Sequence, residues 1–199
     1  MDSSATFYVK GLMPPLPEPK LVILDRDGVI NYDSSDYIKT PDEWKPIPGS
    51  LEAIGRLKRA GYRVAIATNQ SGLARGYFDQ YTLANIHQKL QQMLMDCSDT
   101  QIDLIAWCPH GPDDGCSCRK PAPGLLNQIA EECKVNLKGV WFIGDSLKDL
   151  QAAAAVGARP VLVKTGKGLD TARLSELPNE ALVYADLAEA ANAFLKGNS

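Results

Sequence analysis

The chain has 199 residues, of which 45% are hydrophobic and 23% are charged, and its formal net charge is −3. This length and apolar content suit one globular domain with one packed core. No apolar run approaches the ~20 residues that a membrane-spanning helix needs. The slightly negative charge weighs against a nucleic-acid partner, because such a partner favours a basic face. We therefore expect a cytoplasmic monomer that binds neither nucleic acid nor membrane.

The first 19 residues differ in composition from the rest of the chain. They contain four prolines and show no sustained hydrophobic periodicity. Proline-rich stretches form extended arms rather than packed elements. We expect residues 1–19 to be a disordered or non-native arm and residues 20–199 to form the folded domain.

After this arm, short apolar runs alternate with helical patterns. The sequence predicts strands at 21–24, 62–67, 102–107, 139–144, 160–163 and 181–184. It predicts helices at 49–60, 79–95, 123–133 and after the fourth strand. In the second of these helices, one face carries Leu83, Ile86, Leu90, Met93 and Leu94. Strands that alternate with helices indicate an α/β fold with a doubly wound parallel, Rossmann-like sheet.

Two carboxylates, Asp25 and Asp27, directly follow the first predicted strand. Holding two buried charges this close together is costly without a compensating cation, which favours a chemical role. Mg²⁺ could neutralise both carboxylates and remove the repulsion between a carboxylate nucleophile and a phosphate dianion. Asp25 could then attack phosphorus, while Asp27 protonates the leaving oxygen and later deprotonates water. A polar turn is the competing explanation.

Three further segments supply the other groups that such a phosphatase needs. The second strand leads into a stretch whose hydroxyl, amide and backbone N–H groups could hold phosphate oxygens, namely Thr68, Asn69, Gln70, Ser71 and Gly72. Arg119 and Lys120 supply positive charge, and the fourth strand leads to Asp145, with Asp149 four residues later. The carboxyl ends of parallel strands share one edge, so these segments can converge on one site.

The four segments together resemble the motifs of the haloacid dehalogenase-like (HAD) phosphatases, over about residues 21–168. The resemblance implies Asp25 as the nucleophile and Asp27 as the general acid/base. Val29 stands where many members of that superfamily carry threonine, a common substitution that puts little in doubt.

The same resemblance implies further roles around the reacting phosphate. Thr68 and Lys120 would stabilise the transferring phosphoryl group. The catalytic Mg²⁺ would be held by Asp25, Asp27 and Asp145.

Three cysteines and a histidine lie within the eleven residues 108–118, namely Cys108, His110, Cys116 and Cys118. A Cys₃His set suits tetrahedral Zn²⁺, and the intervening glycines and prolines let the loop fold around a metal. A disulfide is the alternative. No secretion signal is visible, and an intracellular enzyme keeps its thiols reduced, which favours structural zinc. The metal would then clamp the loop that carries Arg119 and Lys120.

The zinc loop and the phosphatase motifs together resemble one subgroup of HAD phosphatases. That subgroup contains the D-glycero-D-manno-heptose 1,7-bisphosphate 7-phosphatases and the histidinol-phosphate phosphatases. The Ala-Arg-Gly sequence at 74–76, after Gln-Ser-Gly, is similar to the heptose enzymes. The resemblance therefore implies a phosphorylated sugar as the substrate, with histidinol phosphate as the alternative.

The intervals between motifs leave no room for a separate cap domain, so we expect an open site. Its specificity would come from residues 31–40, 72–78 and 108–119. Arg75 and Arg119 could hold the phosphate that is not cleaved. The predicted substrate-binding residues are Asn69, Gln70, Ser71, Arg75, Arg119, Asp33 and Tyr37.

Three remaining residues have simple structural explanations. We interpret His87 as a helix-surface imidazole, and Cys97 and Cys133 as buried or half-buried thiols.

Two functions of other classes stay open at this point. The chain could be a catalytically silent, zinc-stabilised binding module, although it retains each residue that the chemistry needs. It could also be a phosphotransferase that passes the phosphoryl group to an acceptor other than water.

Overall fold

The computed structural model describes residues 20–196. Residues 1–19, for which the sequence analysis predicts an arm, lie outside the described residues, as do residues 197–199. Among the residues described, no helix combines the length and the apolar character that crossing a membrane requires.

A six-stranded sheet forms the centre of the fold. Its strands are β1 (Leu21–Leu24), β2 (Arg63–Asn69), β3 (Leu104–Cys108), β4 (Trp141–Gly144), β5 (Arg159–Val163) and β6 (Leu182–Tyr184). They are hydrogen-bonded in the order β3-β2-β1-β4-β5-β6, and every neighbouring pair is parallel. This is a doubly wound sheet, which confirms the predicted fold class.

Helices connect successive strands and cover both faces of the sheet. They are α1 (Ser50–Arg59), α2 (Gln80–Ser98), α3 (Gly124–Cys133), α4 (Leu147–Ala155), α5 (Gly168–Thr171) and α6 (Leu187–Lys196). A 3-10 helix, Pro41–Glu43, lies in the β1–α1 connection. The connections that could have carried a cap, 25–49 and 70–79, hold turns, two isolated β-bridges and this short helix. The expected absence of a cap is therefore confirmed for the described residues.

Alternating residues of β1 point into two separate hydrophobic layers. Val22 and Leu24 pack with side chains of α1, α2 and α6, whereas Leu21 and Ile23 pack with side chains of α3 and α4. All four β1 residues are buried, as expected for a parallel strand covered on both faces. The sheet is thus held rigidly between two helical layers, and its carboxyl edge is a firm base for a site.

Two of the simple structural interpretations are wrong, and one is confirmed. His87 is buried at 8% exposure, because it follows Leu83 by four positions and so falls on the same inward stripe of α2. Cys97 is exposed, because the buried core contacts of α2 end at Leu94, about one turn earlier, whereas Cys133 is buried as predicted.

Candidate active site

The carboxyl edge of the sheet carries a cleft of about 550 Å³ at the ends of β1, β2 and β4. The strand order places β1 between β2 and β4, at the position where the chain reverses its direction across the sheet. Open α/β sheets bind ligands at this position. Predicted site residues that line the cleft are Asp25, Asp27, Asp33, Tyr37, Thr68, Asn69, Gln70, Ser71, Arg119, Lys120 and Asp145. Arg75 is exposed and does not line it.

A buried lysine lies at the centre of the cleft floor. Lys120 is 2% exposed, and its Nζ lies 2.9 Å from Asp25 Oδ2 and 2.6 Å from Asp149 Oδ1. Nζ also donates a hydrogen bond to the carbonyl oxygen of Ala67 at 2.7 Å. Burial alone would lower the pKa of Lys120, but the carboxylates of Asp149 and Asp25 outweigh it and raise that pKa. The ammonium therefore stays charged beside the predicted nucleophile.

Three carboxylates form a candidate metal centre around this lysine. Carboxylate oxygens of Asp25, Asp145 and Asp149 all lie within 4.8 Å of one another. Burial and the neighbouring carboxylates outweigh the positive charge of Lys120 and raise the pKa of Asp25 to about 8. Burial also raises the pKa of Asp145 to about 7. These carboxylates are hard oxygen donors, and they need a nearby positive charge to be ionised together. Both properties suit a Mg²⁺ site.

Asp149 was recognised in the sequence, but without a role at the metal centre. In the structure it is fully buried and pairs with Lys120, while its Oδ2 accepts hydrogen bonds from the Ser146 hydroxyl at 2.6 Å and backbone N–H at 3.0 Å. Its spacing of four residues from Asp145 was the available signal. The capping box at the start of α4 fixes its carboxylate toward the cleft.

The carboxylate of Asp27 lies outside this group and is held by a set of donors. Arg26 donates from Nε and Nη2 at 3.2 and 3.0 Å, Asn31 from Nδ2 at 2.8 Å and Gln70 from Nε2 at 2.9 Å. Burial alone would raise the pKa of Asp27, but Arg26 and the hydrogen bonds from Asn31 and Gln70 outweigh it and lower that pKa. The resting carboxylate is therefore ionised, as a general base must be. Its role as a Mg²⁺ ligand stays a prediction.

Residues at the end of β2 mostly organise other site residues. The side chain of Asn69 donates to the carbonyl of Lys120 and accepts from its N–H, both at 3.1 Å. Gln70 donates to Thr68 Oγ1 at 2.9 Å as well as to Asp27. Ser71 is buried beside them. The substrate-binding roles predicted for these residues remain predictions, and the hydrogen bonds show that Asn69 also fixes the position of Lys120.

Outer residues of the cleft are tied to neighbouring loops. Asp33 Oδ2 lies 2.7 Å from the Nζ of Lys167. The ring of Tyr37 lies 5.0 Å, centroid to centroid, from that of Tyr77. Arg119 Nη1 donates to the carbonyl of His110 at 3.1 Å, which connects this arginine to the cysteine-rich loop.

The predicted zinc ligands converge in the structure. Cys108 Sγ lies 3.2 Å from Cys118 Sγ and 3.7 Å from Cys116 Sγ, and His110 Nδ1 lies 3.3 Å from Cys118 Sγ. All four ligand atoms lie within 4.8 Å of one another, and the cysteines are free. A disulfide requires sulfurs about 2.05 Å apart, so the arrangement fits a Cys₃His zinc site and not a disulfide.

Comparisons with known proteins agree with this geometry. Residues 117–190 match the HAD-hydrolase-like family model. A D-glycero-β-D-manno-heptose-1,7-bisphosphate 7-phosphatase from Pseudomonas aeruginosa is 57% identical over 176 residues, which cover 88% of this chain and 98% of that protein. A phosphatase of the same name from Bordetella bronchiseptica is 53% identical over 177 residues, covering 89% and 98%. The chain belongs to the D-glycero-β-D-manno-heptose-1,7-bisphosphate 7-phosphatase family.

A solved structure of a family member extends the comparison to three dimensions. The D,D-heptose 1,7-bisphosphate phosphatase from B. bronchiseptica, complexed with magnesium and phosphate, superposes with a TM-score of 0.87. The alignment covers 89% of this chain and 99% of the B. bronchiseptica chain, and the two sequences are 53% identical. The chain is therefore a phosphoric monoester hydrolase of the heptose bisphosphatase family, and the predicted resemblance to this family is confirmed.

Two glycines confine the carboxylate of Asp145. A Cβ added at Gly28 or at Gly166 would overlap Asp145 Oδ2. Asp145 Oδ2 also accepts a hydrogen bond from the backbone N–H of Lys167 at 2.8 Å. Gly166 and Gly28 are thus required by close approach to a site residue, in addition to their positive φ angles of 57° and 81°.

We predict that Gly166→Ala displaces Asp145 and impairs Mg²⁺ binding. Phosphate release should fall by at least ~10-fold, and the Mg²⁺ concentration for half-maximal activity should rise, because a tenfold loss needs only about 1.4 kcal/mol. Gly157→Ala is the matched control, since Gly157 also has a positive φ, of 70°, but no atom within 4 Å of an added Cβ. Gly157→Ala should lose about 1 kcal/mol of stability from its backbone conformation alone, and Gly166→Ala should lose more, because its Cβ would also overlap the backbone of Gly28. Equal losses of activity would contradict the role given to Gly166.

Proposed function

We propose that the protein hydrolyses the 7-phosphate of D-glycero-β-D-manno-heptose 1,7-bisphosphate through an aspartyl-phosphate on Asp25. The observation that carries the mechanism is the Asp25 carboxylate, held 2.9 Å from the buried Lys120 ammonium on the floor of an open cleft. The names of the relatives at 53–57% identity support the substrate.

In the first half of the reaction, an oxygen of Asp25 attacks phosphorus and the bond from phosphorus to the sugar oxygen breaks. Lys120 offsets the negative charge of the phosphoryl group, and the Thr68 hydroxyl lies beside it in the same cleft. Asp27 gives a proton to the departing sugar oxygen. It acquires that proton as the phosphate dianion approaches, because nearby negative charge favours the neutral carboxyl.

In the second half, Asp27 is again ionised and removes a proton from the attacking water. Water attacks phosphorus, the bond to Asp25 breaks and inorganic phosphate leaves. The hydrogen bonds from Arg26, Asn31 and Gln70 that hold the ionised form of Asp27 favour this base role.

The catalytic cation belongs to the same proposal. Asp25 and Asp145, with Asp149 beside them, would hold Mg²⁺, which would neutralise the crowded carboxylates and lower the repulsion toward a phosphate dianion. The raised pKa values of Asp25 and Asp145 support this, because these carboxyls need a counter-charge to ionise at neutral pH.

The cleft suits a substrate that carries two phosphates. Arg119, Lys148 and Lys167 add positive charge around the opening, and no cap restricts the space among the described residues. The 1-phosphate could pair with Arg119, whose Nη1 is anchored on the His110 carbonyl. Histidinol phosphate carries an ammonium group that these cations would repel.

We further propose that zinc is bound by Cys108, His110, Cys116 and Cys118 and has a structural role. Four protein ligands leave no open position for a reacting water. Free, clustered thiols suit a reducing compartment, so we place the enzyme in the cytoplasm, where it would supply heptose precursors for the lipopolysaccharide core.

The nucleophile is tested by Asp25→Asn. Turnover should fall by several orders of magnitude, because the neutral amide cannot attack phosphorus. The fold should survive, since burial opposes the charge on Asp25 and the amide keeps its shape. Phosphate release and thermal unfolding measure the two effects. Activity of Asp25→Asn within tenfold of the wild type would rule out the covalent mechanism. If the wild type consumed substrate without releasing an equal amount of free phosphate, the phosphotransferase function would be favoured.

The substrate is tested with sugar bisphosphates, histidinol phosphate and nucleotides. We expect kcat/KM for the heptose 1,7-bisphosphate to exceed that for histidinol phosphate by at least ~100-fold, as one charged contact worth about 3 kcal/mol would give. Arg119→Ala should reduce this preference mainly through the bisphosphate. Equal hydrolysis of the two substrates by the wild type would instead support the histidinol-phosphate function.

The zinc proposal is tested by metal analysis and by Cys116→Ser. Purified protein should contain about one Zn²⁺ per chain. Cys116→Ser should lower the unfolding free energy by several kcal/mol, because binding of a structural metal contributes directly to folding. Brief EDTA treatment should abolish activity that Mg²⁺ alone restores. Native protein with oxidised Cys116 and Cys118, or activity restored only by Zn²⁺, would show the assignment to be wrong.

A further inference from the structure

His87 is a buried titratable group that the proposed reaction does not use. It lies on α2, outside the four motifs, and is 8% exposed. Its Nε2 lies 3.2 Å from Nη1 of Arg26, and its ring lies 5.8 Å, centroid to centroid, from that of Trp107. The polar edge of the imidazole therefore faces Arg26, the residue between Asp25 and Asp27.

The contact with Arg26 determines the form of this histidine. A guanidinium group has only donors, so Nε2 of His87 must be unprotonated and accept the hydrogen bond from Nη1. Burial, together with the positive charge of Arg26, lowers the pKa of His87 to about 3. The imidazole is thus neutral at the pH at which the enzyme works.

The other edge of the same guanidinium holds Asp27. Nε and Nη2 of Arg26 donate to the Asp27 carboxylate at 3.2 and 3.0 Å. Arg26 itself is only 1% exposed, so its Nη1 has little access to water. A buried donor without an acceptor is costly, and a guanidinium that turned to satisfy Nη1 elsewhere would move its other edge away from Asp27.

We infer that His87 is a positioning residue for Asp27, acting through Arg26. The imidazole fixes the plane of the guanidinium, and the guanidinium fixes the carboxylate that exchanges protons with the sugar oxygen and with water. His87 touches no reacting atom. The inference rests on the proposed function, in which Asp27 is the general acid/base.

The decisive comparison is between His87→Phe and His87→Gln. Phe fills the space of the ring but offers no acceptor, whereas the Gln side-chain amide oxygen can reach the position of Nε2. For an alcohol leaving group, which needs proton donation, we expect His87→Phe to lower kcat/KM about tenfold and His87→Gln to restore most of it. For p-nitrophenyl phosphate, whose leaving group needs no proton, kcat/KM should change less than about twofold, because it reports only steps up to departure of that group.

Leu90→Val, one turn further along α2, controls for general loosening of this buried helix face. Leu90→Val should change kcat/KM by the same factor for both substrates. Equal losses for both substrates with His87→Phe, or failure of His87→Gln to exceed His87→Phe, would overturn the inference. If the wild type released no phosphate from the heptose bisphosphate, the proposed substrate would be wrong. The same series would then be measured with another alkyl phosphate that the wild type hydrolyses.

Nitrogen NMR gives a readout that needs neither a variant nor a substrate. The chain has two histidines, so the imidazole signals can be assigned readily. We expect His87 to keep a non-protonated, hydrogen-bonded Nε2 from about pH 5 to about pH 8. A His87 imidazolium within that range would overturn the inference even if His87→Phe did not fold.

Discussion

The site depends on one buried charge balance, between the Lys120 ammonium and the carboxylates of Asp25 and Asp149. Each carboxylate alone would be costly at the edge of a sheet covered on both faces. The Lys120 ammonium lies between the two carboxylates and offsets one negative charge. Asp149 also accepts hydrogen bonds from the hydroxyl and backbone N–H of Ser146. Removal of the Lys120 ammonium would leave two buried carboxylates without a counter-charge, which is far more damaging than its net contribution to stability suggests.

The rest of the site holds Lys120 in place. The side chain of Asn69, at the end of β2, forms two hydrogen bonds with the backbone of Lys120. The Lys120 ammonium donates a hydrogen bond to the carbonyl of Ala67. On the other side, the proposed zinc would fix the loop immediately before it, because the ligand Cys118 is only two residues away. The lysine lies on a connection rather than on a strand, so these contacts replace the rigidity that the sheet gives to Asp25 and Asp145.

Much of this arrangement could be predicted from sequence, because parallel strands buried on both faces appear as plain apolar runs. The residues that follow those runs, among them Asp25, Thr68 and Asp145, necessarily meet at one edge. The convergence of Cys108, His110, Cys116 and Cys118 could be predicted equally well, since their types and spacing are restrictive. Each of the helices predicted at 49–60, 79–95 and 123–133 begins one residue later than predicted, after its N-cap residue, and α2 ends three residues later than predicted, at Ser98.

What could not be predicted are contacts between elements distant in sequence. His87 lies 61 residues from Arg26, and neither residue type nor periodicity indicates that they meet. The role of Asp149 depends on the direction in which the first turn of α4 points its side chain, which only the packed structure fixes. Arg75 shows the reverse case: it does not line the cleft, and the Ala-Arg-Gly motif gave no information on where the loop directs its side chain, so its substrate-binding role stays a prediction.

The absence of a cap among the described residues has a kinetic consequence. In enzymes whose sites are closed by a lid, opening and product release often limit the rate. Here the cleft is formed by strand ends and short connections packed on the sheet, and the described residues contain no domain that would have to open or close over it. An aspartyl-phosphate on Asp25, as proposed above, would therefore be open to water without the movement of a lid, so lid opening would not limit its hydrolysis.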